Sequence, residues 1–420
     1  MMDVNTQSQG CGAGRPVYAA IRRAMVVALC ILIVAPMSGK VFRWPPDAKL
    51  HGAEARIHMP QFLWPDWFDG AYQRKVEAYL AQRTGLRGFF VKLLNQANYS
   101  LFGKLAGGDG TRCREGADSW LYEDVYLREY MLPSVMPQDR VSIFSRRVAA
   151  LQHTLAEQGI EFLLVVAPSK AEVYPERLPD SVRLAGRASE RTNAYEALIP
   201  ALAEQNVRCL DPHRLFLDLK TNHPPLFAPG GTHWNYYGVQ IAAHEAMKRL
   251  ETETALRFPV VPDIERVIWQ QPVGTDLDLR NMLNLWRFEP HGMADVPYPD
   301  VKSVASRAGA PKSKAVIVGD SFGFTLVDAF ARTEAFDRIE LLYYFKRRFS
   351  YDLSKVRRGG WWMLSHGDFE IGPFDKKTLD WDATLAGANV VILEINETLL
   401  GDEGWRFPEI CTRVLRDRKK

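Results

Sequence analysis

The sequence predicts an α/β fold: a mostly parallel sheet with helices on both faces, behind an N-terminal membrane anchor helix. Three observations carry this reading. "IEFLLVVAP" at 160–168 and "KAVIVGD" at 314–320 are nearly unbroken apolar runs of strand length, as expected of strands buried on both faces. Segments with helical spacing alternate with these and with "RIELLYYF" (338–345) and "NVVILEI" (389–395), and repeated βα units specify a parallel sheet. Residues 24–39, "AMVVALCILIVAPMSG", carry no charge and follow Arg15, Arg22 and Arg23.

In chain order, residues 1–23 are expected to be a cytoplasmic N-terminus and 24–39 a signal anchor. The span is short, but Val17 to Ile21 extend its apolar character across arginines that can snorkel. A cleaved signal peptide has the same outline, yet Ala35-Pro36-Met37 is a poor cleavage site, which favours an uncleaved anchor and an exported domain. Residues 40–110 read as a polar, proline-containing stem and a helical segment, 68–102, that Gly85 divides in two. The main domain fills 111–420. It enters through a strand in "GADSWLYED", followed by a helix over 139–158 and the 160–168 strand. The helix "SERTNAYEALIPALAEQN", the short strand "VRCLD" and the helix "YYGVQIAAHEAMKRLE" come next. An insertion at about 252–310 breaks the alternation before the 314–320 strand and the helix "FGFTLVDAFAR".

Composition narrows the function. Hydrophobic content of 47% and charge of 25% describe an ordinary globular protein. A net charge of +3, with no basic run interleaved with aromatics, excludes a nucleic-acid partner. Cys113, Cys209 and Cys411 are far apart, and no CxxC, HExxH or zinc-ligand spacing occurs, so no metal site is expected.

Two loops could carry chemistry. Ser321 follows the strand "AVIVGD" and opens a helix, so free backbone N–H groups point at whatever its oxygen attacks. The ordinary alternative is a helix N-cap. His233, in "LFAPGGTHWNYYG", also sits between a loop and a helix, on the same predicted edge of the sheet, and could be the base that a serine nucleophile needs. Its alternative is a loop histidine bonded to backbone. Asn235 looks able to cap the next helix and is a further candidate for oxyanion or substrate contact, as is Lys170 after the 160–168 strand. A solvated lysine is the plainer reading of Lys170. Trp361 and Trp362 could stack on sugar rings, or simply pack.

"GDSF" together with "THWN" resembles the SGNH-hydrolase-like domain of the AlgJ/AlgX-type alginate O-acetyltransferase family. "GADSWLYED", "APSKAEVYPERLP", "VVILEINETLL" and the 68–102 segment match as well, so the likeness covers about 62–400. The resemblance implies a permuted SGNH-type fold in the periplasm and acetyl transfer to an exported polysaccharide. It also implies a multi-spanning membrane O-acyltransferase as acetyl supplier, the inner membrane as location and no bound cofactor. Carried over, Ser321 is the nucleophile and His233 the base. One position departs: the family usually has Asp-Thr-His-Trp, and here Gly231 stands for the acid. Asp211, Asp276 and Asp278 are candidate replacements, or a backbone carbonyl could hold the imidazole. On that view Gly231→Asp should be harmless. An acetylesterase, and a non-catalytic glycan-binding scaffold with a decayed site, are the alternative functions.

Overall fold

The computed structural model describes residues 14–42, 48–52, 57–83, 85–105, 113–186, 192–288, 293–305, 311–354, 370–376 and 379–417. Two compact units emerge, Met1–Ala106 with Asn284–Arg287, and Gly107–Leu283 with Phe288–Lys420. The first contains helices α1 (Gly14–Phe42), α2 (Trp64–Phe68), α3 (Ala71–Arg83) and α4 (Arg87–Phe102). The break expected near Gly85 separates α3 from α4, with Leu86 in the left-handed region at φ 62°. Among the described residues no helix is long and apolar enough to cross a membrane. The expected anchor, 24–39, lies on α1, but its side chains at 32, 33 and 35–39 fall outside the described residues.

Among the described residues the second unit has eleven strands. These are β1 (Cys113–Glu115), β2 (Leu121–Glu123), β3 (Glu161–Ala167), β4 (Cys209–Leu210), β5 (Val260–Gln270), β6 (Val296–Ala305), β7 (Ser313–Gly319), β8 (Phe336–Tyr343), β9 (Arg347–Asp352), β10 (Glu370–Pro373) and β11 (Val390–Asn396). Its helices are α5 (Asp124–Met131), α6 (Gln138–Ala156), α7 (Lys170–Val173), α8 (Asp180–Ala185), α9 (Ala194–Glu204), α10 (Pro212–Leu219), α11 (Tyr236–Glu253), α12 (Asp278–Met282), α13 (Phe322–Arg332), α14 (Trp381–Leu385) and α15 (Phe407–Asp417).

The main sheet has the order β10-β9-β8-β7-β11-β3-β4. Along β3, Leu163, Val165 and Ala167 enter a core shared with α11 and α13, while Phe162, Leu164 and Val166 enter one shared with α6, α9 and α15. Burial on both faces is why these strands lack polar alternation. The expectation of a mostly parallel sheet needs correction, because the sheet is mixed. Pairings from β8 through β7, β11 and β3 to β4 are parallel, but β8–β9 and β9–β10 are antiparallel. Tyr343 pairs with Arg347, and the turn between them is too short for the crossover that parallel strands require.

The 252–310 insertion is a long antiparallel arm, β5 on β6, with α12 between them. Cys30, Cys113, Cys209 and Cys411 are all free thiols.

Glu340 pins the antiparallel edge. It is fully buried in β8, and its carboxylate accepts from Arg338 Nε (3.0 Å), Arg348 Nε (2.9 Å) and Ser350 Oγ (2.9 Å). Glu340→Ala should lower unfolding stability in urea by about 1–2 kcal/mol. That is less than the ~3–5 kcal/mol of a fully buried pair, because both guanidiniums still reach water.

Candidate active site

β7 ends at Gly319 and α13 begins at Phe322, so Ser321 stands in the sharp turn between them, at the carboxyl edge of the parallel strands. Open α/β sheets hold their ligands at that edge. Asp320 shapes the turn, its Oδ1 accepting from Phe322 N at 2.9 Å and its Oδ2 from Asn396 N, at the end of β11, at 2.7 Å. The Ser321 hydroxyl makes no capping bond. Its Oγ lies 2.8 Å from His233 Nε2 instead.

His233 arrives on the loop before α11, where each residue of "GTHWN" has a contact that explains it. A β-carbon on Gly231 would overlap the Thr275 carbonyl oxygen and press on Asp276. Thr232 N donates to Asp278 Oδ1 at 2.9 Å, and His233 Nδ1 is 2.6 Å from Asp278 Oδ2. Trp234, fully buried, donates its indole N–H to Thr325 Oγ1 at 2.6 Å and so ties the loop to α13. Asn235 caps α11 by accepting from Gly238 N at 2.8 Å.

The carboxylate beside the imidazole is therefore Asp278, the first residue of α12 in the insertion, and not a residue at 231. With Nδ1–H donated to Asp278, Nε2 remains as acceptor for the Ser321 hydroxyl; this tautomer is assigned from the hydrogen-bond network. Burial works to lower the His233 pKa. The hydrogen bond and charge of Asp278, with Glu123 and Asp320 beyond, outweigh it and leave the pKa raised. The surroundings thus favour an imidazolium.

The remaining candidates have other roles. Asp211 caps α10 and accepts from Tyr195 Oη at 2.7 Å, with no contact to His233. Asp276 is buried, accepts from Tyr298 Oη at 2.6 Å, and is pushed by burial up to about 7. Lys170 is not solvated: its ammonium lies 2.8–2.9 Å from four carbonyl oxygens, of Leu121, Ala228, Pro229 and Gly231. An ammonium has three protons, so none is left for an oxyanion. Burial lowers its pKa to about 7. Its place is beneath the His233 loop, holding the 228–231 carbonyls together. The polar side-chain atoms of Asn235 are likewise committed, Nδ2 donating to Pro225 O at 2.6 Å. Trp361 and Trp362 lie outside the described residues.

Sequence reasoning missed Glu123. It ends β2 and has its pKa raised by burial and then by the Asp278 charge. No spacing in the sequence links positions 123 and 278. Among the described residues no group of three or more His, Cys, Asp or Glu could hold a metal ion.

The family described as "SGNH hydrolase-like domain, acetyltransferase AlgX" matches residues 113–335, a stretch that holds His233, Asp278 and Ser321. The chain belongs to this AlgX-type SGNH-like family. A probable alginate O-acetylase AlgJ of Pseudomonas fluorescens is 25% identical over 188 residues, 45% of each chain. Its counterpart in Azotobacter vinelandii is 25% identical over 146 residues, 35% of this chain and 34% of that one. The match thus spans less than half the length of either relative. Among solved structures, the O-acetyltransferase domain of Pseudomonas putida AlgJ is similar at 17% identity and a TM-score of 0.42, covering 69% of this chain and 92% of that one. Pseudomonas aeruginosa AlgX gives 16% identity and 0.42, covering 71% and 67%. The fold assignment rests on the topology and the family match, not on these scores.

The expectation that Gly231→Asp is harmless is overturned. With the Thr275 carbonyl in the way, the substitution should destabilise the AlgX-type domain by about 1–3 kcal/mol, as overpacking does, and should push His233 off Asp278. Urea unfolding of the variant checks the first effect, and ester turnover the second.

Proposed function

We propose that this chain is an exported O-acetyltransferase that acetylates hydroxyls of an exopolysaccharide, alginate-like in class, through an acetyl-enzyme on Ser321. The observation that carries the proposal is the Ser321–His233–Asp278 relay, with heavy-atom distances of 2.8 Å and 2.6 Å. Family membership and the relatives named alginate O-acetylases support the reaction class and the substrate.

In the first half-reaction Ser321 Oγ attacks the donor's acetyl carbonyl while His233 Nε2 takes the hydroxyl proton. The new imidazolium is stabilised by Asp278, and the oxyanion faces the Ser321 N–H, for which no partner is found among the described residues. Collapse breaks the donor's ester bond, and His233 returns the proton to the leaving group. In the second half, His233 takes a proton from a sugar hydroxyl, whose oxygen attacks the acetyl-serine. The sugar ester leaves, and the proton returns to Ser321.

The acetyl supplier is a multi-spanning membrane O-acyltransferase, and no cofactor stays bound. Residues 24–39, uncharged along their length, hold the chain at the inner membrane with the domain in the periplasm. The case for a decayed scaffold rested on Gly231, and Asp278 removes that ground.

Acetyl transfer from p-nitrophenyl acetate to an oligouronate tests the reaction. Ser321→Ala should form no acetyl-enzyme by mass spectrometry, and Asp278→Asn should lower kcat by about 10⁴-fold, as loss of an orienting acid does in a serine triad. Because His233 must be neutral to act as base, its raised pKa places the wild-type acid limb above the ordinary histidine value, and Asp278→Asn should move that limb down. Release of acetate to water, unaffected by the acceptor, would make the protein an esterase. For location, a reporter active only outside the cytoplasm, fused after Lys420, should be active, and the chain should stay with membranes after a high-salt wash. Recovery in the soluble periplasmic fraction would show cleavage.

A further inference from the structure

Glu394 lies in the middle of the sheet, on β11, fully buried. Alternation along β11 puts it on the face that receives Ile392 and α13, where an apolar residue is expected. It has no salt bridge among the described residues, so its burial needs another explanation.

The explanation lies in the turn that carries Ser321. Glu394 Oε2 accepts from Asp320 N at 3.1 Å, and the Gly323 N–H closes the turn onto the Asp320 carbonyl. A β-carbon at Gly319 would come within 2.6 Å of that same oxygen, so the glycine makes room for the carboxyl. Oε1 finds no donor among the described residues. The Asp320 and Glu394 carboxyls thus meet in one buried place with no salt bridge to Glu394 among the described residues, and two ionised carboxylates repel there. Asp320 in turn holds Phe322 N and Asn396 N.

We propose that Glu394 is a positioning residue for the nucleophile: a neutral acid that shares one proton with Asp320 and thereby staples the Gly319–Phe322 turn to β11. Its carboxyl accepts from the turn's backbone and donates to Asp320. The turn then presents Ser321 Oγ to His233 and Ser321 N–H to the developing oxyanion. The pair carries one negative charge, faced by His233 across Ser321 and by the hydroxyls of Tyr126, Tyr343 and Tyr344. Burial pushes Asp320 up to about 6 and Glu394 well above the ordinary carboxylate range. The folded-state value of Glu394 therefore exceeds the unfolded one. Its stabilisation is fully present below the ordinary carboxylate pKa and is lost as pH rises through the raised value.

The role rests on the acetyl-transfer reading, and the test separates the two. Purified full-length wild type, Glu394→Gln and Glu394→Leu are compared by thermal unfolding and by p-nitrophenyl acetate turnover across pH. Glutamine keeps an acceptor and a donor but has no proton to lose. Glu394→Gln should keep wild-type kcat at neutral pH and should lack the alkaline fall that wild type shows in both unfolding midpoint and kcat. Glu394→Leu, stripped of both bonds, should lose about 10²-fold in kcat with little change in KM, the effect of a misplaced nucleophile. The proposal is overturned if Glu394→Gln keeps the wild-type alkaline loss of stability, or if it is inactive with an unchanged unfolding midpoint. If wild type itself turns over no ester, the acetyl-transfer reading fails, and the stability profile alone still decides the shared proton.

Discussion

The approach of Gly231 to the Thr275 carbonyl, closer than any β-carbon allows, is the contact on which the rest of the site depends. It lets the His233 loop lie flat against the segment before α12, and only then can Asp278 reach both Thr232 N and the imidazole. A side chain at 231 would collide with the backbone of Thr275 and Asp276, the segment that leads into Asp278. Lys170 supports the same loop from below through the 228, 229 and 231 carbonyls, and Trp234 fastens it sideways to α13. Each contact is modest alone, but together they leave His233 little freedom of position.

The site is rich in carboxyls for its size. Asp278, Glu123 and Asp320 all act on His233, and Asp276 and Glu394 lie beneath. Ionising all five around one imidazole and one buried lysine would be strongly repulsive in a low dielectric. The structure divides the labour: one carboxyl orients the base, while burial raises the pKa of Glu123, Asp276, Asp320 and Glu394.

Much of this was legible in the sequence because it follows from local pattern. β3, β7 and β11 read as strands since both of their faces are apolar, and the Ser321 and His233 loops read as reactive because a strand or loop hands over to a helix in each. The antiparallel edge was not legible. Its turn uses Tyr344 and Phe345 at φ 47° and 49°, residues that give no turn signal, so "RIELLYYF" reads as one more parallel strand. Asp278 could be named only among three candidates, since pairing 233 with 278 requires the β5–β6 arm to fold back, which spacing does not encode. Lys170 looked solvated because lysine usually is; four converging carbonyls are a tertiary property. Glu394 sits in a run that reads as pure core, and nothing local marks its carboxyl as attached to the nucleophile turn.

Asp278 sits between β5 and β6, which pair with each other and not with the main sheet. The relay thus draws its acid from a peripheral hairpin and its nucleophile from the centre of the fold. Elements of that kind open more readily than core strands do. Opening of the arm would withdraw both Asp278 and the Thr275 carbonyl on which the Gly231 loop rests, so the central strands would stay folded while His233 lost its support. A molecule that rests on the arm could change turnover without touching the reacting atoms.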